Sequence, residues 1–220
     1  MNGAAMASAE RYWTLINAVT RQGTDLANPR ISSGAVLLAL RDLERLSCLA
    51  PDGRGRLLPL GGAAARAHAG LLLSMTFDRS LAEEQWIERL CLSATGAKLK
   101  RILGELTASV AFKTGAPLVG NRSLIGLVTG AREIDRSHPA VAQAAHECLD
   151  WLSSPGEMQA ATLRMLKLAG ALNRLSRIDG GAIASALSVH RGTASWQSCD
   201  RIVALVENAE FMGATLTGAL

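Results

Sequence analysis

The chain has 220 residues, 49% hydrophobic and only 4% aromatic, and 23 basic against 19 acidic side chains give a net charge of +4. This length suits one large domain or two small ones, and it argues against a small scaffold that needs disulfides or metals for stability. The abundance of Ala and Leu, with few aromatic residues, favours helices over strands. The mild basic excess gives weak support to a nucleic-acid partner.

Cysteine spacing argues against a zinc-binding or disulfide-stabilised protein, and hydropathy argues against a membrane protein. No cysteines form a CxxC pair and no histidine completes a zinc spacing, so buried thiols in a reducing compartment are expected. The cysteines are Cys48, Cys91, Cys148 and Cys199. The most apolar stretch, residues 57–75, is interrupted by Arg66 and His68, which argues against a membrane span. A start without a secretory signal predicts a cytoplasmic protein.

The first third of the chain predicts two helices, a hairpin and a further helix. Apolar residues at helical spacing indicate a helix over residues 8–22 and another over about 32–46, the latter capped by Ser32 or Ser33. Two short apolar runs flank an Asp-Gly-Arg-Gly turn, which predicts a β-hairpin over about 50–60. An Ala-rich helix follows over about 61–75.

The rest of the chain predicts helices separated by short breaks. Ser80 and Glu83 form a plausible capping box, and Ser137 is a candidate N-cap. The predicted helices cover residues 80–92, 93–111, 123–134, 137–152, 156–176, 180–189 and 191–212.

Three stretches share a pattern of helix, tight turn and second helix. They are residues 25–60, 86–106 and 182–206. Two helices that cross steeply through such a turn need a small residue where their axes approach and an apolar turn residue in the core. Ala184 and Val189 meet both needs in the last stretch.

At these residues the sequence resembles a known group of proteins. ISSGAVLLALRDLERLSCLAPDGRGRLLPL is similar to the recognition helix and wing of winged helix-turn-helix regulators. AIASALSVHRGTASWQSCDRIVAL resembles the helix-turn-helix core of the same superfamily. The resemblance implies an all-α fold with at most a small β-wing, built from helix-turn-helix units in a helical bundle. It also implies a DNA-binding transcription regulator.

The same resemblance implies which residues contact double-stranded DNA. Helix 32–46 would enter the major groove while the hairpin 50–60 lies against phosphate or the minor groove. The implied contacts in this unit are Arg30, Ser32, Ser33, Arg41, Arg45, Arg54 and Arg56. Those in the last unit are His190, Arg191, Thr193 and Gln197, with Ser195 on the same surface.

The sequence divides into three predicted regions. Residues 1–75 form the winged-helix-like unit, 76–155 a helical middle region with a degenerate helix-turn-helix, and 156–220 the last unit. A homodimer that pairs helices around 61–75 and 157–175 would match a symmetric DNA site. The alternative is a helical adaptor or secretion-system component whose helix-turn-helix units are structural only. No catalytic constellation, metal spacing or cofactor motif is found, so an enzyme is not predicted.

Overall fold

Helices make up most of the fold, and the prediction of an all-α protein with a small β-wing is confirmed. The computed structural model describes residues 5–19, 28–52, 54, 56–60, 81–92, 97–120 and 132–217, apart from the side chains of 59 and 212–217. In chain order the helices are α1 (Ser8–Val19), α2 (Pro29–Arg45), α3 (Glu83–Ile87), α4 (Ala97–Thr114), α5 (Pro139–Leu152), α6 (Glu157–Leu168), α7 (Leu172–His190) and α8 (Ala194–Thr217). The strands are β1 (Leu49–Pro51), β2 (Leu57–Pro59), β3 (Leu118–Gly120) and β4 (Arg132–Ile134). The predicted helix 61–75 lies outside the described residues.

Helix α2 begins earlier than the serines predict. Asn28 is its N-cap and accepts a hydrogen bond from the Arg30 backbone N–H at 3.0 Å, while Pro29 occupies the first helical position. The prediction that Ser32 or Ser33 caps the helix is therefore wrong, because the side-chain oxygen of Asn28 caps it about one turn earlier.

Helix α2 is the central helix of the bundle. It contacts α1, α3, α4, α6 and α8, and every residue from Ile31 to Leu40 is buried. A Cβ atom at Gly34 would lie 2.6 Å from the Tyr12 hydroxyl oxygen and 3.0 Å from the Met165 Cβ. The absence of a side chain at this position is therefore what lets α1 and α6 approach α2 so closely.

The middle region contains the two helices α3 and α4. A π-helical turn, Glu88–Leu92, continues α3 and contacts both α2 and α4. The first residue of the capping box, Ser80, lies outside the described residues. At this helix start the side chain of Gln85 accepts the Ala82 N–H at 3.1 Å.

Two short antiparallel hairpins accompany the helices. The first pairs Leu49 with Pro59, as the sequence predicts for the wing. The second pairs Leu118 with Ile134 and packs on α4 through β4. The predicted helix 123–134 is wrong over Arg132–Ile134, which forms a strand, and its other residues up to 131 lie outside the described part of the chain.

The last three helices follow one another through tight turns. Gly170, at a φ of +66°, follows the end of α6, and α7 starts two residues later. Helix α7 is kinked at Asp179, whose backbone leaves the helical region and whose carboxylate caps the following turn at the Ala182 N–H, 2.9 Å away. At α5 the cap is His138, whose Nδ1 accepts the Ala140 N–H, so the prediction of Ser137 is wrong.

One hydrophobic core extends from α1 to α8. It includes Trp13, Leu90 and Val206, which belong to three different predicted regions, and packing therefore crosses the proposed boundaries at 75/76 and 155/156. All four cysteines are free and buried, as predicted. Within the described residues, no helix has both the length and the apolar character needed to cross a bilayer.

Candidate nucleic-acid interface

The helix predicted to enter the major groove is buried at Ser32 and Ser33, whereas Arg45 near its end is exposed. Ser32 and Ser33 are 1% and 0% exposed, and the Ser32 hydroxyl donates to the Asn28 carbonyl at 3.2 Å. Both residues are therefore core positions, and their prediction as DNA contacts is wrong. The physical reason is that short hydroxyl side chains fit a close helix crossing as readily as an exposed helix start.

Two of the predicted arginines on α2 are already engaged by carboxylates. Arg30 donates from Nε and Nη2 to Glu210 of α8 at 2.7–3.0 Å, and this bidentate hydrogen bonding raises the pKa of the guanidinium. Arg41 lies 2.8 Å from Glu83 and 3.9 Å from Glu44. Each of these guanidinium groups would have to leave a carboxylate in order to pair with a phosphate.

The wing hairpin presents one of its two predicted arginines. Asp52 accepts the backbone N–H groups of Arg54 and Arg56 at 2.8 and 2.9 Å, and it binds Arg56 Nε at 2.8 Å. These contacts, led by the Arg56 backbone N–H, lower the pKa of the Asp52 carboxyl. Arg56 is thus turned back on its own hairpin, whereas the Arg54 side chain is exposed and forms no ion pair within the described residues.

The last predicted unit is only partly accessible. His190 is 1% exposed and its Nε2 lies 3.1 Å from the Leu152 carbonyl oxygen, so its prediction as a DNA contact is wrong. Thr193 caps α8 by accepting the Trp196 N–H at 3.3 Å, and the Trp196 ring is buried beneath Arg164, 5.5 Å from the ring centre. The exposed members of the predicted set here are Arg191 and Gln197.

The two helices of this last unit do not form a compact helix-turn-helix pair. Helix α7 packs on α5 and α6, whereas α8 packs on α6, α2 and α3. Ser195, on the predicted surface, is 7% exposed. Helices α7 and α8 therefore pack mainly on different neighbours, whereas the predicted motif requires them to pack against each other.

The middle region has the element order that the sequence assigned to the first region. Helix α3 with its π-helical turn, helix α4 and the β3–β4 hairpin follow one another along the chain. One side of helix α4 faces the core, and its opposite side is exposed. The buried side includes Leu99, Ile102, Leu103 and Leu106. The result is a second helix that lies at the surface with a hairpin packed on it.

The exposed side of α4 carries the basic residues that the analysis of the sequence missed. Lys98, Lys100 and Arg101 are exposed within its first two turns, and none forms an ion pair within the described residues. Glu105, one turn further on, is the acidic residue of the same face. A signal was present in the sequence, since residues 98–101 contain three basic side chains within four positions.

The C-terminal half of α4 is neutral or compensated. Lys113 lies 2.6 Å from the buried carboxylate of Glu10, which also accepts the Ser109 hydroxyl. Gly104 and Ala108 are exposed small residues, and Phe112, beyond them on the same face, is 71% exposed. The free positive charge of α4 is thus concentrated at its N-terminal end, where the helix dipole is also positive.

Comparison of the chain with protein families, with curated proteins and with solved structures gives no match.

Proposed function

We propose that this protein binds double-stranded nucleic acid through the outer face of α4, with the β3–β4 hairpin beside it. The single observation that carries the proposal is the contrast between two helices. Among the predicted contacts on α2, Arg45 alone is exposed without an ion pair in the described residues, whereas Lys98, Lys100 and Arg101 on α4 are all exposed and form none. Phosphate binding requires cations whose counterions are salt rather than protein.

The shape of α4 supports the same proposal. The helix has 18 residues, about 27 Å, which is long enough to follow a major groove. After Arg101 the outer face of α4 carries Gly104 and Ala108, whose small side chains allow a nucleic acid to approach the helix closely. Arg132 is exposed at the outer end of the hairpin, opposite Gly120, where a wing would meet the backbone.

The test is fluorescence anisotropy of labelled genomic duplexes at two salt concentrations with the whole protein. Binding is expected to weaken steeply with salt. A triple variant, Lys98→Gln, Lys100→Gln and Arg101→Gln, should lose about three from the magnitude of the log–log salt slope. The matched control removes the same charge from exposed positions elsewhere, Arg174→Gln, Arg177→Gln and Arg191→Gln, and should bind as the wild type does.

A second control distinguishes binding through α4 from binding through α2, the helix that the sequence predicts as the DNA-binding surface. Arg30→Gln should leave affinity unchanged, because the Arg30 guanidinium is already bound by Glu210. Loss of affinity in Arg30→Gln with no loss in the α4 variant would return the interface to α2. Absence of binding at the lowest salt, or equal losses in the α4 variant and its matched control, would contradict the proposal outright.

The alternative role as a helical interaction protein has one specific observation in its favour. Phe112 is 71% exposed on the same face of α4, and large exposed apolar side chains occur at protein interfaces. If this role is the correct one, the wild-type protein gives no anisotropy change with any duplex at low salt. The first experiment therefore discriminates between the two functions before any variant is made.

A further inference from the structure

A cavity of about 290 Å³ opens where the ends of three helices meet. Its walls come from the C-terminal end of α2, the N-terminal end of α6 and the N-terminal end of α8. The volume lies at the lower end of the range for small-molecule pockets, about 300–1,000 Å³. It therefore suits a ligand smaller than a typical drug.

Two opposite charges line this cavity without pairing with each other. Arg45, in the last turn of α2, and Glu157, in the first turn of α6, are both exposed cavity residues. Neither forms an ion pair anywhere in the described part of the chain. By contrast, the neighbouring Arg41 is held by Glu83 and Glu44. The cavity thus offers one cation and one anion on different walls, and neither is held in an ion pair within the described residues.

Hydroxyl and apolar groups complete the lining. Ser195 is 7% exposed, and its hydroxyl forms no hydrogen bond within the described residues, although its carbonyl accepts the Ser198 hydroxyl at 2.9 Å. A hydroxyl that lines a cavity and has no partner among the described residues is available to a ligand. Met158 and Ala161 add an apolar surface from α6.

We propose that this cavity binds a free α-amino acid as a zwitterion. The ligand carboxylate would pair with Arg45 and accept a hydrogen bond from Ser195, and the ammonium group would pair with Glu157. The side chain of the ligand would lie on Met158 and Ala161. A simple anion is disfavoured, because the carboxylates of Glu44 and Glu157 line the same space. A simple cation is disfavoured by Arg45 for the same reason.

This binding does not rest on the nucleic-acid proposal, and it is tested without nucleic acid. The twenty common amino acids are titrated into the whole protein by isothermal titration calorimetry up to about 10 mM, above the millimolar range of weak sites. At least one should bind. Its N-acetyl derivative, which lacks the ammonium, and its carboxamide, which lacks the carboxylate, should each bind about tenfold more weakly or worse.

Variants locate the site. Arg45→Gln and Glu157→Gln should each weaken binding of the same amino acid by about tenfold. The matched controls are Arg191→Gln and Glu207→Gln, exposed positions outside the cavity, and they should leave the affinity unchanged. Thermal unfolding of each variant without ligand verifies that the fold is intact, as expected for exposed side chains.

Three results would overturn the proposal. One is the absence of binding heat with every amino acid. Another is an N-acetyl derivative or carboxamide that binds as tightly as the parent amino acid. The last is equal weakening in the cavity variants and their controls. Failure of the nucleic-acid experiment leaves each of these readouts unaffected.

Discussion

At the residue scale, Gly34 determines how closely three helices can approach. We expect Gly34→Ala to lower the free energy of unfolding by about 1–3 kcal/mol, because its Cβ would meet the Tyr12 hydroxyl oxygen at 2.6 Å. Tyr12 would then be displaced from its hydrogen bond to the Ile31 carbonyl. Urea denaturation measures the change.

The matched control for this change is Gly104→Ala on α4. A Cβ at Gly104 meets no atom within 4 Å, and the position is in a helix interior. This variant should be more stable than the wild type by about 0.5–1 kcal/mol, because glycine is unfavourable there. Equal destabilisation of both variants would contradict the role assigned to Gly34.

A second residue-scale prediction concerns the pH dependence of Asp42. This carboxylate is 8% exposed and accepts the Ala9 N–H at 2.8 Å, and burial raises its pKa above the ordinary value of 3.8. The folded protein therefore holds this proton more tightly than the unfolded chain does. The stabilising effect of the shift is greatest below the ordinary pKa and is lost as pH rises through the raised one.

Asp42→Asn should remove this dependence while keeping an acceptor oxygen for Ala9. Its free energy of unfolding is expected to improve relative to the wild type as pH rises from about 3 to about 6. Asp42→Ala, which leaves the Ala9 N–H unpaired, should be less stable than Asp42→Asn by about 1–3 kcal/mol. A pH series of urea denaturation curves measures both effects, and parallel curves for wild type and Asp42→Asn would refute the first.

At the scale of elements, a buried ion pair joins α1 to α4. Glu10 and Lys113 have side chains only 9% and 19% exposed, and 2.6 Å separates their charged atoms. Lys113→Met should destabilise the protein by about 1–3 kcal/mol, since it removes the cation beside Glu10 but leaves the Ala7 N–H and the Ser109 hydroxyl donating to that carboxylate. The double variant Glu10→Gln, Lys113→Met should recover most of that loss. Thermal unfolding at neutral pH provides the measurement, and additive losses would argue against coupling.

Hydrophobic periodicity predicted the presence of most helices better than capping preferences predicted the residue at which each helix begins. The N-caps of α2 and α5 illustrate the reason. Asn28 and His138 cap α2 and α5, one to five residues before or after the positions that serine preferences favour. Several side chains near a helix start can accept the same backbone N–H, and the path of the preceding chain selects among them. The strand Arg132–Ile134 was missed because a three-residue strand has no period to detect.

At the scale of the whole molecule, one continuous core predicts one unfolding transition. The core includes Trp13 of α1, Trp86 of α3 and Trp196 of α8, so tryptophan fluorescence reports on all three predicted regions. Urea curves from fluorescence and from far-UV circular dichroism should coincide. Two separated transitions would support the division at 75/76 or 155/156 instead.

The sequence alone determined the helical class, the burial of the four cysteines and the hairpin around its Asp-Gly turn. Each depends on nearby residues or on composition. Only the tertiary structure decided which helix is central and which is exposed. Ser32, Ser33 and Gly34 look like a polar helix start, yet their small side chains are what close packing of α1 and α6 on α2 requires. Ion pairing between residues far apart in the chain, such as Arg30 with Glu210, likewise depends on the fold, and it neutralises part of the positive charge that the sequence places on α2.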